Sequence, residues 1–477
     1  MKTKNIVFVN PPITMEKRYG KFSAGGSYLP PLGLCSLASV TRENGFHAKI
    51  VDSVALKLDY KNTVSEVLHN SPKYIGITAS TITIFNAAKL AEMIKNEDGA
   101  VIIIIGGPHI TAAPQETMML FSQFDVGVIG EGEVTIVNLL KTYDHGGNLE
   151  NVNGIIFRKN NELKITNPRT LIKNLDSLPM PAFDLLPYLP KYYRPSAQSV
   201  KRLPSTSLIT ARGCPGKCIF CDRKVFGNHC RYYSSEYIIK MIKYLYSNYG
   251  IRDIQIDDDT FVTNKHRLVK VCYTLIEEDL DLSWNCLARV DCVNLKLLEL
   301  MKKAGCWQIQ YGIESGSQEI LNFLKKGINL EQVSKVIRWT KEAGIFSKGF
   351  FMIGNPLETE KSIIKTIEFA KRIDLDDFQM TFFTPFPGCE FHKISSQYGT
   401  FDDSWEKMNE YNIVFTPNGL TRELLEKYHK KAFKDFYLKP KVVLSYLKRM
   451  RGLKTSLELS KVGYSFLKNF ILKRGIK

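Results

Sequence analysis

The chain has 477 residues, 44% of them hydrophobic, and carries a formal net charge of +17 at pH 7. This length suits about two to three domains, and the hydrophobic fraction excludes a disordered or low-complexity chain. The sequence has no signal peptide and no apolar run of roughly 18 residues, so we expect a cytoplasmic protein without a membrane span.

Residues 1–145 alternate short apolar runs with amphipathic stretches, which predicts an α/β domain with a doubly wound, Rossmann-like parallel sheet. The predicted strands are 5–10, 47–52, 74–80, 101–107 and 125–132, and the predicted helices are 32–45, 60–70, 84–97 and 133–143. The fourth strand begins VIIII, and this unbroken apolar run is typical of a central strand covered on both faces.

In such sheets, ligands bind beyond the carboxyl ends of the strands. Three segments fall there in this sequence: ASTIT (79–83), GGPHIT (106–111) and GEGEVT (130–135). Their glycines would let the backbone approach a ligand, and their polar side chains would supply hydrogen bonds. The candidate ligand contacts are Ser80, Thr81, Gly106, Gly107, His109, Gly130, Glu131 and Gly132. Tight turns between strand and helix use similar glycine-rich sequences, so a purely structural role is the alternative.

Residues 146–205 are predicted to connect two domains through a small hairpin and a proline-rich segment that no single regular element can span. A second series of strands and helices fills residues 206–395. Its strands are predicted at 207–213, 253–259, 282–291, 306–315, 346–354 and 376–386, and its helices at 236–249, 264–279, 294–304, 318–325, 330–343 and 360–373. Six such units predict a partial (β/α)6 barrel, with its active site at the carboxyl ends of the strands.

The remaining region, 396–477, is predicted to be helical and basic. Between Lys434 and Lys477 there are twelve lysines or arginines and two acidic residues, so this tail carries most of the positive charge. Apolar residues recur there at roughly helical spacing: Val443, Leu444, Leu447 and Met450, then Phe466, Leu467, Phe470 and Ile471. Such helices either pack on the barrel or form a surface for membrane phospholipid or an anionic substrate.

Three of the ten cysteines cluster in the stretch ARGCPGKCIFC, directly after the first predicted barrel strand. Cys214, Cys218 and Cys221 suit zinc or an iron–sulfur cluster, because thiolates on a short loop bind both. A structural zinc ion requires a fourth ligand, for which His229 and Cys230 are the nearest candidates, and a chance cluster without metal is a third interpretation. A 4Fe–4S cluster on three cysteines would leave one iron open to a molecule with an adjacent amine and carboxylate, such as S-adenosylmethionine (SAM).

The segment CPGKCIFC resembles the C-x-x-x-C-x-aromatic-C signature of radical SAM enzymes. The resemblance implies that reductive cleavage of SAM yields a 5′-deoxyadenosyl radical. It also implies SAM-binding roles for residues on the signature loop and near the later strand ends. These are Phe220 near the adenine, Asp258 near the methionine amine, Arg289 with the methionine carboxylate, Glu314 with the ribose hydroxyls and Gly354 in the adenine-side turn.

A doubly wound domain in front of such a barrel resembles the cobalamin-binding domain of cobalamin-dependent radical SAM enzymes, and the resemblance covers roughly residues 5–440. It implies that the candidate ligand contacts of that domain bind cobalamin. The cobalamin fingerprint D-x-H-x-x-G is absent, because Asp52 is followed by Ser53, Val54 and Ala55. We therefore expect cobalamin without a histidine ligand on the lower face of the cobalt.

The resemblance implies methyl transfer from methylcobalamin to an unactivated substrate carbon, once a hydrogen atom has been removed from that carbon. The alternative within the same architecture is oxidation and ring closure, as in the anaerobic magnesium-protoporphyrin ester cyclase family. A tRNA methylthiotransferase would carry three further cysteines in the N-terminal domain, where this sequence has only Cys35. A zinc-stabilised nucleic-acid binder would explain the basic tail but not the order of the barrel motifs.

The expected partners are a small-molecule, lipid or lipid-linked substrate and an external electron donor of the flavodoxin or ferredoxin type. Nucleic acid is not expected as a partner. The basic tail suggests peripheral contact with the inner face of the membrane.

Overall fold

The computed structural model describes residues 4–69, 71–449 and 453–472. Seven strands form its first sheet: β1 (Asn5–Asn10), β2 (His47–Asp52), β3 (Tyr74–Thr78), β4 (Ile102–Gly106), β5 (Val126–Val128), β6 (Ile155–Lys159) and β7 (Glu162–Ile165). The strand order is β2-β1-β3-β4-β5-β6-β7. The first five strands are parallel, and the hairpin β6–β7 extends the sheet antiparallel to β5. The predicted Rossmann-like sheet is therefore confirmed.

The first sheet has a hydrophobic core on each face. Its helices are α1 (Met15–Tyr19), α2 (Leu32–Glu43), α3 (Ser53–Leu56), α4 (Tyr60–Leu68), α5 (Ile84–Glu97), α6 (Pro108–Ala112), α7 (Pro114–Leu120) and α8 (Glu133–Asp144). Because neighbouring strand residues point to opposite faces, Ile6 and Phe8 share a core with α2 and α8, whereas Val7 and Val9 share one with α4 and α5. Asn70, at the end of the helix predicted over 60–70, lies outside the described residues.

The second sheet contains six parallel strands in chain order. After the short helix α9 (Leu189–Tyr192), the strands are β8 (Ser205–Leu208), β9 (Ala211–Arg212), β10 (Arg231–Tyr232), β11 (Asp253–Ile256), β12 (Ser283–Ala288), β13 (Cys306–Glu314), β14 (Phe346–Ile353), β15 (Asp377–Phe382), β16 (Gly399–Phe401) and β17 (Phe415–Pro417). Strands β8 and β11 to β15 form the six-stranded sheet, while β9–β10 and β16–β17 are small antiparallel pairs. This order confirms the predicted partial (β/α)6 barrel.

Most helices of the second half begin after a polar capping residue. They are α10 (Ser235–Tyr249), α11 (Lys265–Glu277), α12 (Leu295–Lys303), α13 (Gln318–Phe323), α14 (Leu330–Glu342), α15 (Glu360–Arg372), α16 (Arg422–Tyr437), α17 (Pro440–Arg449) and α18 (Leu453–Phe466). In six of them, the side chain of the residue before the helix accepts a hydrogen bond from a backbone amide of the first turn. This bond satisfies an amide that has no partner within the helix. These residues are Ser234, Asn264, Asn294, Asn329, Thr359 and Thr421.

Aromatic side chains hold the C-terminal helices against the last barrel strand. Phe436 of α16 stacks on Phe378 of β15, with ring centroids 5.0 Å apart. Phe433 contacts both Phe378 and Phe22, which lies between β1 and α2. The helical prediction for the tail is thus confirmed over its described part, outside which Met450 lies. Within the described ranges, no helix combines the length and apolar character needed to cross a bilayer.

Candidate active site between the two sheets

The three cysteines lie on the loop between β9 and β10, directly beyond the first barrel strand. Gly213 starts this cysteine loop with a φ of +90°, and a Cβ there would lie 2.4 Å from the carbonyl oxygen of His229, so only glycine fits. The Gly216 amide donates a hydrogen bond to Sγ of Cys214 at 3.4 Å. A Cβ on Gly216 would lie 3.3 Å from that sulfur and 3.9 Å from Sγ of Cys218. The loop is therefore folded tightly around these two sulfurs.

Backbone and side-chain hydrogen bonds fix the cysteine loop to distant parts of the chain. The amide of Ile219 donates to the carbonyl oxygen of Leu324 at 3.2 Å, and its carbonyl oxygen accepts from the amide of Phe391 at 2.9 Å. Nζ of Lys224 donates to the carbonyl oxygen of Ala112, in α6, at 2.9 Å. The loop is thus tied to the barrel, to the region after it and to the first sheet's layer of helices.

The surroundings of Cys218 favour its thiolate form. A hydrogen bond from the Cys221 thiol, together with the positive charges of Lys326 and Arg289, outweighs the effect of burial and lowers the pKa of the Cys218 thiol to about 6. The thiolate is the form that binds metals. Among the described residues, no three His, Cys, Asp or Glu side chains converge on one ion position. A cubane 4Fe–4S cluster does not require such convergence, because each thiolate ligates a different iron atom.

Arg289 lies beside the cysteine loop. Its Nη1 atom is 3.5 Å from the position that a Cβ on Gly216 would occupy. Both carboxylate oxygens of Asp291 accept hydrogen bonds from the guanidinium at 2.9 Å, and Nη2 also donates to the carbonyl oxygen of Lys326 at 2.9 Å. The guanidinium is therefore held in one orientation, with Nη1 towards the cysteines.

Glu314 and Lys326 form a buried ion pair near the same loop. Nζ of Lys326 is 2.7 Å from Oε1 of Glu314 and 5.9 Å from the centroid of the Phe220 ring. Glu314 adopts a φ of +68°, which is rare for a residue with a side chain and marks local strain. The structure thus brings Phe220, Arg289 and Glu314 together around the cysteines.

Asp258 is turned away from the cysteine loop. Its carboxylate accepts hydrogen bonds from the amides of Thr210 and Ala211, at 2.5 and 2.9 Å, and from the Thr210 hydroxyl at 2.6 Å. Burial raises the pKa of Asp258 to about 6. This geometry ties down the end of β8 and does not favour contact with the methionine amine. The neighbouring Asp259 is exposed, and its charge adds to the effect of burial in raising the pKa of the Cys214 thiol.

Gly354 follows β14 in a turn that a buried carboxylate organises. The Gly354 amide donates to Oε2 of Glu358 at 2.6 Å, and the amide of Asn355 donates to the same oxygen at 3.0 Å. Gly354 has a φ of +80°, so glycine suits this turn. Burial raises the pKa of Glu358 to about 7. The predicted turn is present, and it leaves Gly354 only its backbone to offer a ligand.

The strand ends of the first sheet open into a space of about 240 Å³, which we call the deep cavity. Five predicted ligand contacts line it: Gly106, Gly107, Gly130, Glu131 and Gly132. Leu37 of α2 and Ile104 of β4 supply apolar walls, and Arg212 and Phe226 close the cavity on its barrel side. A Cβ on Gly107 would lie 2.8 Å from a backbone carbonyl oxygen, so the chain can turn there only with glycine.

Glu131 and Glu133 of the GEGE segment point towards the barrel. Nη1 of Arg212 donates to Glu131 at 2.8 Å, and Nη2 donates to Glu133 at 2.5 Å. Nη1 of Arg231 donates to both carboxylate oxygens of Glu131 at 2.8 Å. Burial opposes the ionisation of Glu133, but Arg212 outweighs it and lowers the pKa of that carboxyl. This buried network joins the first sheet to the two strands that flank the cysteine loop.

A second space, a cleft of about 370 Å³, separates the cysteine loop from the first sheet. Ser80 and Thr81 line the cleft from the first sheet, and Phe220 and Asp222 line it from the cysteine loop. Pro108 lines both the cleft and the deep cavity, so the two spaces adjoin. The cysteine loop and the strand ends therefore face each other across one space.

His109 lies beneath the strand ends and lines neither space. Its side chain is fully buried, with Nδ1 at 3.1 Å from Oγ1 of Thr81 and the ring packed edge-on against Trp405 at 4.3 Å. Burial lowers the pKa of His109 to about 4, so the imidazole is neutral near pH 7. The structure favours a role for His109 in positioning Thr81 over direct contact with a ligand.

Comparison with known proteins matches both halves of this arrangement. Residues 208–370 match the radical SAM superfamily, and residues 23–140 match the B12 binding domain. A protein of Pyrococcus horikoshii described as an uncharacterized methyltransferase is 35% identical over 446 residues, which cover 93% of this chain and 95% of that protein. This chain belongs to the radical SAM enzymes with a B12-binding domain.

Two further similarities fit this family. The anaerobic magnesium-protoporphyrin IX monomethyl ester cyclase of Rubrivivax gelatinosus is 26% identical over 419 residues, covering 85% of this chain and 74% of that enzyme. The cobalamin-dependent SAM radical enzyme OxsB, solved with aqua-cobalamin and SAM bound, has a TM-score of 0.76 at 17% identity, over 98% of this chain and 72% of OxsB. The latter likeness shows the fold. This radical SAM enzyme has the architecture of the cobalamin-dependent methyltransferases, and the cyclases are more distant relatives.

The family confirms the predicted cofactors of this radical SAM enzyme, which are a 4Fe–4S cluster, SAM and cobalamin. Such enzymes act on small-molecule substrates with an external reductant. The residues present fit these cofactors, because three thiols share one tight loop and glycines leave room for a ligand at the strand ends.

The sequence interpretation missed three basic residues of the site: Lys326, Arg212 and Arg231. Nothing in the sequence around Lys326 indicates its role. The charges could have predicted an ion pair between the two glutamates of GEGE and Arg212, which precedes the cysteines.

Proposed function

We propose that this radical SAM enzyme methylates an unactivated carbon of its substrate. When bound, the cluster and SAM supply a carbon radical that removes a hydrogen atom, and cobalamin supplies the methyl group. The observation that supports this proposal is the cleft, which Phe220 of the cysteine loop lines on one side and Thr81 and Pro108 line on the other. A substrate carbon in the cleft would lie between the two sources of reactivity.

We propose that Cys214, Cys218 and Cys221 ligate the cluster and that the neighbouring charges hold SAM. The Arg289 guanidinium, fixed by Asp291, presents donors towards the cysteine loop and suits the methionine carboxylate. Asp259 takes the place of Asp258 as the candidate for the methionine amine, because it is exposed beside Cys214. The aromatic face of Phe220 and the backbone of Gly354 are offered to the adenine.

Glu314→Gln is expected to weaken SAM binding by roughly 10- to 100-fold, because a hydrogen bond to a charged acceptor contributes about 1.5–3 kcal/mol. The ribose hydroxyls are the proposed donors, and Lys326 holds the carboxylate in place. Equilibrium dialysis of SAM against the cluster-loaded enzyme measures the effect. Glu319→Gln, an exposed substitution on α13, is the matched control. An unchanged dissociation constant in a folded Glu314→Gln enzyme would exclude this role for Glu314.

On the cobalamin side, we propose that Ser80, Thr81 and the glycines of the strand ends support the corrin. The deep cavity behind them is largely apolar and would take the part of the cofactor below the ring. No histidine lines the deep cavity or the cleft among the described residues, so we retain the proposal that the cobalt has no lower histidine ligand. The cobalamin-binding domain would then span residues 1–145 and the barrel 206–395, joined by 146–205 and followed by the helical region 396–477.

The experiment that tests the proposed reaction is anaerobic reconstitution with cobalamin, SAM and a reductant, followed by product analysis. Candidate substrates that are turned over should gain one methylene unit in mass, and 5′-deoxyadenosine should form with the product. Formation of 5′-deoxyadenosine with a product that has lost hydrogen and gained no carbon would support the cyclase-type alternative instead.

We further propose a cytoplasmic enzyme that receives electrons from a flavodoxin- or ferredoxin-type donor and touches an anionic membrane surface through region 396–477. The cationic character of this region supports the membrane contact. Sedimentation with vesicles tests it: binding should require anionic lipid and decline with salt. If neither lipid charge nor salt changes the sedimented fraction, the membrane contact is wrong.

A further inference from the structure

The C-terminal helices enclose a third space of about 470 Å³, which we call the aromatic cavity. Aromatic residues dominate its lining, among them Phe22, Tyr411, Phe433, Tyr437, Tyr446 and Phe466. Val442, Leu459 and Val462 complete the apolar walls. Protein interiors pack densely, and cavities with apolar walls stay dry and accept apolar molecules. A space of this size and lining therefore suits an apolar ligand.

The aromatic cavity adjoins the cleft between the two sheets. Tyr19 lines both spaces, and its hydroxyl lies 2.6 Å from Oγ of Ser27, which holds the ring at the boundary. Gln379 of β15 also lines the aromatic cavity, and its amide donates to the Tyr411 hydroxyl at 3.0 Å. Glu410 directly precedes Tyr411 in the chain and lines the cleft. A ligand that fills the aromatic cavity would thus reach the reactive space past Tyr19.

The rim of the aromatic cavity is apolar and exposed. Four residues line the cavity and are at the same time largely open to solvent: Leu438 (52%), Val443 (43%), Leu447 (55%) and Leu467 (45%). Exposed apolar patches of this kind are rare on soluble proteins and mark contact surfaces. Lys441 and Lys468 are exposed on the same helical region. Apolar side chains flanked by lysines match the interface of an anionic lipid bilayer.

We propose that the aromatic cavity binds a long alkyl or isoprenoid chain of the substrate, which enters from a lipid surface over the exposed rim. The chain lies among the aromatic residues, and the part of the substrate to be modified extends past Tyr19 into the cleft. This inference rests on the proposed function, because it takes the cleft as the reactive space. It makes the substrate of this radical SAM enzyme a lipid and not a polar metabolite.

The test is chain binding to the reconstituted holoenzyme, measured with fluorescent cis-parinaric acid and its displacement by n-alkanols of increasing length. Each added methylene group should raise the affinity by about fourfold until the cavity is filled. Val462→Trp places a large ring on the cavity wall and should weaken binding of long alkanols at least tenfold, by an order-of-magnitude estimate from the same relation. Leu457→Trp, on the same helix at an exposed position, should bind like the parent enzyme.

Phe466→Ala is a second variant for the case that Val462→Trp does not fold. This substitution enlarges the aromatic cavity and should shift the preferred alkanol to a longer chain. Reductive SAM cleavage is measured on every variant, so that the two proposals fail separately. If cleavage persists while alkanol affinity does not depend on chain length, or the folded cavity variants bind as the parent does, the lipid inference is overturned and the proposed function stands. If chain binding follows the expected pattern without SAM cleavage, the proposed function fails instead.

Discussion

Cys218→Ala is expected to reduce reductive SAM cleavage to the background rate and to remove most of the cluster iron. Cys218 is buried at the centre of the cysteine loop, and the positive charges of Lys326 and Arg289 favour its thiolate form. Only two of the three protein thiolates would then remain to ligate the cluster. The measurements are iron and sulfide content after anaerobic reconstitution, and 5′-deoxyadenosine formed under reduction.

The matched control is Cys230→Ala. The Cys230 thiol lies 3.1 Å from the carbonyl oxygen of Gly213, beside the same loop, but outside the signature. The control should retain iron, sulfide and the parental cleavage rate. Loss of zinc from Cys230→Ala, or parental cleavage by Cys218→Ala, would contradict the assignment of the three signature cysteines to a 4Fe–4S cluster.

Arg212→Ala is expected to lower the free energy of unfolding by about 3–5 kcal/mol, because it leaves the buried Glu133 carboxylate without an arginine partner and leaves Glu131 with Arg231 alone. Arg212 donates to Glu131 and Glu133 at the junction of the two sheets, and all three side chains are almost inaccessible. Urea unfolding followed by circular dichroism measures the loss. Since the network adjoins both the deep cavity and the cysteine loop, we also expect weaker retention of cobalamin on gel filtration.

An exposed ion pair provides the control for Arg212→Ala. Lys159 and Glu150 are both half-exposed, so Lys159→Ala should leave the free energy of unfolding nearly unchanged. The pH dependence follows from Glu133, whose folded-state pKa is lowered. Its contribution is present above the pKa of the unfolded chain and is lost as the pH falls through the folded-state value. Arg212→Ala should therefore remove part of the acid sensitivity of unfolding. If Arg212→Ala is as stable as the parent, the stabilising role of the buried Arg212–Glu133 ion pair is wrong.

The fold was predictable because its strands and helices carry strong local patterns. The helix at 84–97 and the strand at 5–10 occur with the predicted bounds. The fourth strand is shorter than the predicted range 101–107 and spans Ile102–Gly106. The hairpin was predicted, but its pairing with β5 was not, because edge pairing between strands depends on contacts that a local pattern does not encode.

The site was predictable where the residue types are chemically specific and less so where only geometry decides. The cysteines, Arg289 and Glu314 lie close together, and their proposed roles in binding the cluster and SAM stay predictions. The three consecutive aspartates lie just beyond β11, where the chain is irregular, so no strand alternation lets the sequence tell which side chain faces the ligand. Asp258 consequently ties down β8. The aromatic cavity was out of reach for another reason, because its walls come from segments at both ends of the chain.

The most direct test of the account is transfer of a labelled methyl group. The enzyme, reconstituted anaerobically with cobalamin and its cluster, is incubated with a reductant and with SAM that carries a trideuterated methyl group, and the bound corrin is examined by mass spectrometry. We predict that the corrin acquires the trideuterated methyl group, and that reduction also yields 5′-deoxyadenosine. If 5′-deoxyadenosine forms while the bound corrin stays unlabelled, cobalamin-dependent methyl transfer is contradicted.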